Sequence, residues 1–271
     1  MIKNILFILA CIIILYFYTW YLEQKSLYYP LSQLEATPAD NNINYEDVYF
    51  FTKDKIKLNG WFIPALNSKY TVILFHGNGG NISHRIEKIN FFHQLQISVF
   101  IFDYRGYGKS RGFPSEPGLY QDAAAAYRWV LARMSKDNTK QKIIVYGESL
   151  GGAVALDLAI KQEVSAVILE STFTNVRDMA KIFYPFLPEI VIKSKFDSIS
   201  KVANLKVPLL CMHSVNDDIV PYTLGKRLFE RALPPKIFLE LTGGHNESFY
   251  LSILKIKNGI ENLLENIEFK N

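Results

Sequence analysis

Gly147-Glu148-Ser149-Leu150-Gly151 fits the pattern G-x-S-x-G and lies between an apolar run, Lys142–Tyr146, and a helical pattern, Leu150 to Ile160. In that context the serine sits on a tight, strained turn, and the glycines remove side chains that would collide with neighbouring backbone. The helix beginning after Ser149 aims free amides and its positive dipole end at charge developing on a nearby oxygen. Alone, the five-residue pattern is common by chance and describes a glycine-rich turn with a solvated serine. Between a strand and a helix it marks Ser149 as a nucleophile.

A serine hydroxyl is a poor nucleophile at neutral pH and needs a base. Of the five histidines, His245 follows the last apolar run, in Gly243-Gly244-His245-Asn246-Glu247. That turn belongs at the sheet edge that carries Ser149. His76 and His213 also end strands, the first in a motif with another role, while His84 and His93 fall in a helical segment. The base in turn needs an acid to hold its tautomer and stabilise its cation. Asp217 and Asp218, in the turn after Val207–Met212, both qualify by chemistry, and Glu170, after Val164–Leu169, is a third candidate. Any of them can equally be a turn residue that caps backbone amides.

Acyl transfer also requires donors for an oxyanion. The backbone amide of Leu150 supplies one, and the turn His76-Gly77-Asn78-Gly79-Gly80 supplies the other at Asn78. This turn lacks the Lys-Ser/Thr pair and the G-x-G-x-x-G spacing of a phosphate cradle.

The elements that must position these residues are legible from residue 46 onward. Asp47–Thr52 and Ile56–Pro64 read as a hairpin. Thr71–Phe75, Ser98–Phe102, Lys142–Tyr146, Val164–Leu169, Val207–Met212 and Lys236–Leu241 read as strands. Helical patterns separate them: one to about Leu95, then Ser115–Met134, Leu150 to Ile160, Thr223–Ala232 and a last one from about Ser248. Strands that are apolar throughout and alternate with helices predict an α/β fold, a mostly parallel sheet covered on both faces. In such sheets ligands bind beyond the carboxyl ends of the strands, where the turns above lie.

Ile5 to Leu22 is an 18-residue stretch without a charge. As a helix it spans about 27 Å, close to a hydrocarbon core of about 30 Å. Tyr16, Tyr18, Trp20 and Tyr21 crowd its end, where amphipathic rings favour the membrane interface. No small-x-small cleavage site follows, so the stretch reads as an uncleaved signal anchor. Lys3 precedes it, while Glu23 and Lys25 cancel after it, which leaves the amino terminus cytoplasmic and the remaining chain on the non-cytoplasmic side. The expected organisation is an anchor over 1–25, a linker over 26–45 and one domain over 46–271 with a lid-like insertion at about 171–204.

Composition narrows the rest. Hydrophobic residues make up 49% of the 271, charged residues 21%, and the net charge is +4. That describes an ordered globular chain, and without a basic tract it is not a nucleic-acid binder. Cys11 and Cys211 form no metal-binding pattern, so no metal or other cofactor is expected.

From about residue 46 the chain resembles α/β-hydrolase-domain proteins. It is similar in particular to their single-pass, membrane-anchored branch of protein depalmitoylases and lysophospholipid or monoacylglycerol lipases. Five segments carry the resemblance: Phe75-His76-Gly77-Asn78-Gly79-Gly80-Asn81, Asp103-Tyr104-Arg105-Gly106-Tyr107-Gly108-Lys109-Ser110, Gly147-Glu148-Ser149-Leu150-Gly151-Gly152, Glu170-Ser171-Thr172-Phe173-Thr174 and Gly243-Gly244-His245-Asn246. The acid turn of that family reads His-Gly-x-x-Asp-x-x-Val-Pro, which favours Asp217 over Asp218, although Ser214 stands where the glycine is usual. The resemblance implies an α/β-hydrolase fold and a Ser149–His245–Asp217 triad that cleaves esters or thioesters of lipid or acylated substrates. A short-chain esterase or peptidase of the same fold is the alternative, and a non-catalytic membrane-tethered scaffold is the alternative outside enzymes.

Overall fold

The computed structural model describes residues 2–268. Helix α1 (Ile2–Leu27) projects from the domain, which it touches through its C-terminal part: Lys193 N and Ser194 N donate to Glu23. Its Lys3–Leu27 stretch contains a window of mean hydropathy 2.3 with no buried residue. Among the described residues it is the one helix long and apolar enough to cross a membrane.

Eight strands form the central sheet: β1 (Glu46–Phe51), β2 (Lys57–Ile63), β3 (Tyr70–Phe75), β4 (Ser98–Phe102), β5 (Lys142–Glu148), β6 (Ala166–Glu170), β7 (Leu209–Ser214) and β8 (Lys236–Leu241). They lie in the order β1-β2-β4-β3-β5-β6-β7-β8. The β1–β2 and β2–β4 pairs are antiparallel, and every other pairing is parallel. Around the sheet pack α2 (Ile86–Gln94), α3 (Glu116–Lys136), α4 (Leu150–Ala159), α5 (Val176–Phe183), α6 (Ser198–Val202), α7 (Tyr222–Arg231), α8 (Ser248–Leu251) and α9 (Ile253–Glu268).

The continuous apolar runs follow from burial on both faces. Along β3, successive side chains point to opposite sides of the sheet. Ile73 and Phe75 join Leu119, Ala123 and Ala126 of α3 and Val154 of α4. Val72 and Leu74 join Ile89 and Phe92 of α2 and Ile256, Ile260 and Leu263 of α9.

Some boundaries differ from expectation for local reasons. β7 begins after Pro208, which has no N–H to give to a ladder. Ser115 caps α3 by accepting a hydrogen bond from Gly118 N (3.2 Å) and so lies outside the helix. The last helical pattern divides into α8 and α9.

The segment expected to be a linker, 26–45, lies along the domain. Tyr28 and Ile43 are buried. Tyr29 and Pro30 pair in parallel with Gly79 and Gly80. Asn81 Nδ2 donates to Leu31 O (3.0 Å) and Gln33 O (2.6 Å), and Glu35 N donates to Ser83 Oγ (3.0 Å). From Tyr28, the first residue after the membrane-length helix, the chain is already part of the body.

Candidate active site

β5 runs through Glu148, so Ser149 is the first residue beyond the strand and the N-cap of α4. Its φ of 52° and ψ of −115° form a combination that side-chain-bearing residues rarely adopt. Two constraints hold it there. Ser149 N donates to Glu170 O of the neighbouring β6 (2.8 Å). The backbone on either side is packed so closely that a Cβ on Gly151 would lie 2.0 Å from Phe75 O, and one on Gly147 2.4 Å from Gly152 Cα. Ser149 is only 8% exposed, and its Oγ has no hydrogen-bond partner among the described residues, His245 included. Such contacts commonly tighten only when substrate closes the site.

Ser149 and His245 line one cavity of about 320 Å³, together with Asn78 and Asn246. Leu31 and Ile219 are its larger apolar residues, and Arg85 and Glu148 its charged ones. The loop after β8 presents His245, whose Nδ1 lies 2.8 Å from Asp217 Oδ2 and 3.0 Å from Oδ1. A carboxylate only accepts, so Nδ1 carries the proton and Nε2 keeps a free lone pair. The neighbouring Asp218 has a different part: its Oδ1 accepts from the backbone N–H of His245 (2.8 Å). Glu170 makes no hydrogen bond to His245 among the described residues; Lys88 and Tyr146 both bind its carboxylate.

The electrostatics of the pair follow from these contacts. Burial alone would raise Asp217, but hydrogen bonds from His213, His245 and Val220 N and the charge of His245 hold its carboxyl well below the usual range. Burial would likewise depress His245. The Asp217 hydrogen bond and charge, with the charges of Glu148 and Glu170, outweigh it and raise the imidazole above its ordinary value of 6.5.

The loop after β3 is held through its carbonyls. Tyr104 Oη donates to His76 O (3.1 Å), His76 Nδ1 to Gly77 O (2.7 Å), and Tyr107 Oη to Asn78 O (2.8 Å). From the post-helix segment, Tyr29 N donates to Asn78 O (3.0 Å) and Leu31 N to Gly80 O (3.1 Å). Burial and the nearby Arg85 charge pull His76 down to about 3, so this ring is neutral and donates from Nδ1. Fixing Gly77 O fixes its planar peptide, and the N–H of that peptide belongs to Asn78. The N–H groups of Asn78 and Leu150 have no acceptor among the described residues.

Beneath the serine lies a buried ion cluster. Arg85 binds Glu148 through Nε (3.0 Å) and Nη2 (3.1 Å), and Lys88 binds Glu148 (2.7 Å) and Glu170. Burial would raise Glu148, but Arg85 and Lys88 outweigh it and keep it ionised. Two cations facing two carboxylates are the arrangement in which buried charge is compensated.

Leu31, Tyr29 and the Arg85–Lys88 pair are absent from the sequence reading. Tyr104 and Tyr107 stand in a quoted motif, and the structure supplies the reason: their hydroxyls hold the Asn78 loop. His84, which the sequence places in a helical segment, borders the cavity.

Residues 67–201 match the family described as Serine aminopeptidase, S33. The α/β hydrolase domain-containing protein WAV2 of Arabidopsis thaliana is 34% identical over 258 residues, covering 85% of this chain and 83% of its own. An uncharacterized membrane protein of Saccharomyces cerevisiae is 36% identical over 246 residues, covering 85% of each. The chain belongs to the α/β-hydrolase family. Among solved structures, the Pyrococcus furiosus esterase Pf2001 superposes on this α/β hydrolase with a TM-score of 0.74, covering 89% of this chain and 97% of the esterase. At 22% identity that likeness bears on the fold alone.

Proposed function

We propose that this α/β hydrolase is a membrane-anchored serine hydrolase that cleaves carboxylic ester or thioester bonds of lipid or acylated substrates. The observation that carries the reading is Ser149, on its strained elbow, sharing one cavity with a His245 whose Nδ1–H is bound by Asp217. In this account Ser149 attacks the carbonyl carbon and His245 Nε2 takes the serine proton. The N–H groups of Leu150 and Asn78 receive the oxyanion. Collapse of the tetrahedral species expels the alcohol or thiol, which takes its proton from His245. Water, deprotonated by His245, then attacks the acyl carbon, and the Ser149 Oγ–acyl bond breaks as His245 returns that proton to Oγ, freeing the acid.

The family description favours a second reading, an aminopeptidase. Such an enzyme must hold a substrate ammonium, which needs a free carboxylate. Among the described residues the one acidic side chain lining the cavity is Glu148, already paired with both Arg85 and Lys88. Ester chemistry is therefore the better fit.

The base must be neutral to act. Because His245 is raised above 6.5, kcat/KM for a neutral ester should rise with pH through an acid limb displaced above that value. A profile flat down to pH 5 contradicts His245 as base.

Lys3 before the uncharged stretch Ile5 to Leu22, with Glu23 and Lys25 cancelling after it, supports a non-cytoplasmic domain. The anchor is tested by comparing the full chain with residues 26–271, which keep Tyr29–Leu31. Both should hydrolyse a short water-soluble ester at similar rates. On a long-chain ester carried in vesicles the shortened chain should be markedly slower, since α1 concentrates the enzyme where that substrate resides. Equal rates on the vesicle substrate favour the soluble-ester reading. Cleavage of aminoacyl amides with neither ester turned over favours the peptidase.

A further inference from the structure

The lid-like insertion between β6 and β7 is rich in apolar side chains, which could pack on the sheet, line an acyl-chain pocket over Ser149 or touch the bilayer. None of its residues lines the cavity. Some pack inward: Ile192 is buried, and Met179 and Val191 rest on the core. Phe186 and Ile190, however, are 97% and 90% exposed, and Ile182, Phe183 and Leu187 are about half exposed beside them in sequence. A contiguous group of large apolar side chains facing out marks a contact surface.

Its position relative to α1 says what that surface meets. Glu23, in the last turns of α1, accepts from the backbone N–H groups of Lys193 (3.2 Å) and Ser194 (2.6 Å). Lys193 Nζ donates to Tyr16 O (3.3 Å) and sits 3.3 Å from the centre of the Tyr16 ring. Tyr16 lies six residues before the end of the uncharged stretch, about 9 Å along the helix. The Lys193 side chain thus runs along α1 from the level of Glu23 back to Tyr16, so the insertion lies against the C-terminal part of that helix. Ile190 is three residues away, within about 10 Å even if the chain between them is extended. Whatever bathes the last turns of α1 also reaches Ile190, and Phe186 lies four residues farther along the same exposed run.

We propose that Ile182, Phe183, Phe186, Leu187 and Ile190 enter the outer layer of the bilayer that holds α1, making a second, shallow membrane contact. The proposal rests on the reading of α1 as a membrane anchor. It commits to lipid because the patch is continuous with α1 through the Glu23 and Lys193 contacts. The same side of the domain carries the cavity, since Leu31, four residues beyond α1, lines it. The contact therefore holds the mouth of the site close to the lipid surface, where a long-chain substrate has only to rise a short distance.

The test uses the full chain in phosphatidylcholine–phosphatidylglycerol vesicles. Cys11→Ser removes the exposed thiol, and Cys211 is buried and pushed up to about 12, so it does not label. Ile190→Cys and, separately, Phe186→Cys are coupled to an environment-sensitive NBD dye. Leu66→Cys, on the β2–β3 turn at the opposite edge of the sheet, is the control. Dye at 190 and 186 should emit as in an apolar medium, be quenched by brominated lipid and resist aqueous iodide, while dye at 66 shows the reverse. Iodide quenching at 190 and 186 in chain that resists carbonate extraction overturns the second contact and leaves the anchor standing. Protection from both quenchers means that protein covers the patch, which overturns lipid as its occupant. Full extraction by carbonate overturns the anchor, and this proposal with it.

Discussion

Replacing Ser149 by alanine is expected to leave a folded protein that has lost roughly three to six orders of magnitude of ester turnover. The fold should survive because the hydroxyl makes no hydrogen bond within the described residues. The elbow is held instead by Ser149 N on Glu170 O and by close backbone packing at Gly147 and Gly151. Alanine can occupy the same backbone conformation at a similar strain. Turnover should collapse because, among the described residues, no other side chain lining the cavity carries a hydroxyl or thiol. Measured kcat for a short ester above a tenth of the original would sink the assignment. Loss of the folded state, seen as a large fall in Tm, would show that Ser149 has a structural role not evident from its contacts.

The second large effect separates two adjacent carboxylates. Asp217 Oδ1 accepts from Ile219 N (3.0 Å) and Val220 N (2.7 Å), while Oδ2 faces His245 Nδ1 (2.8 Å). In Asp217→Asn the amide oxygen must stay with the two backbone donors. That places its NH2 against His245 Nδ1 and forces the proton onto Nε2, the nitrogen that has to accept from serine. The expected loss in kcat is about four orders of magnitude, the cost of the wrong tautomer in serine proteases. Asp218→Asn should be mild, because an amide oxygen can still accept from His245 N as Asp218 Oδ1 does. A reversed pattern, or a large loss confined to Glu170→Gln, would move the acid elsewhere.

Much of this arrangement could be read from the sequence, for physical reasons that also mark where reading failed. Parallel strands buried on both faces must be apolar throughout, so Thr71–Phe75 and Lys142–Tyr146 announce themselves, and the chemistry falls in the turns they end on. The Asp217–Asp218 choice came from family spacing alone. Its physical basis needed coordinates, since one carboxylate reaches an imidazole and the other a backbone amide. Tyr29 and Leu31 were invisible because they act on the Asn78 loop through main-chain N–H groups, which almost every residue has. The Arg85–Lys88–Glu148–Glu170 cluster gathers residues from distant segments, and no local pattern marks it. The insertion was legible as apolar, but composition leaves packing on the sheet, an acyl-chain pocket and the bilayer all open, and only the exposure of Phe186 and Ile190 decides which way those side chains face.

The account stands or falls on a covalent bond at one oxygen, and mass spectrometry of the full chain after reaction with a fluorophosphonate reads it directly. The account predicts a stoichiometric adduct on the peptide that contains Ser149. It also predicts slower labelling in Asp217→Asn and none in Ser149→Ala. A chain that stays unlabelled would be the membrane-tethered scaffold, and an adduct on any other residue would place the nucleophile outside the elbow; either contradicts the assignment.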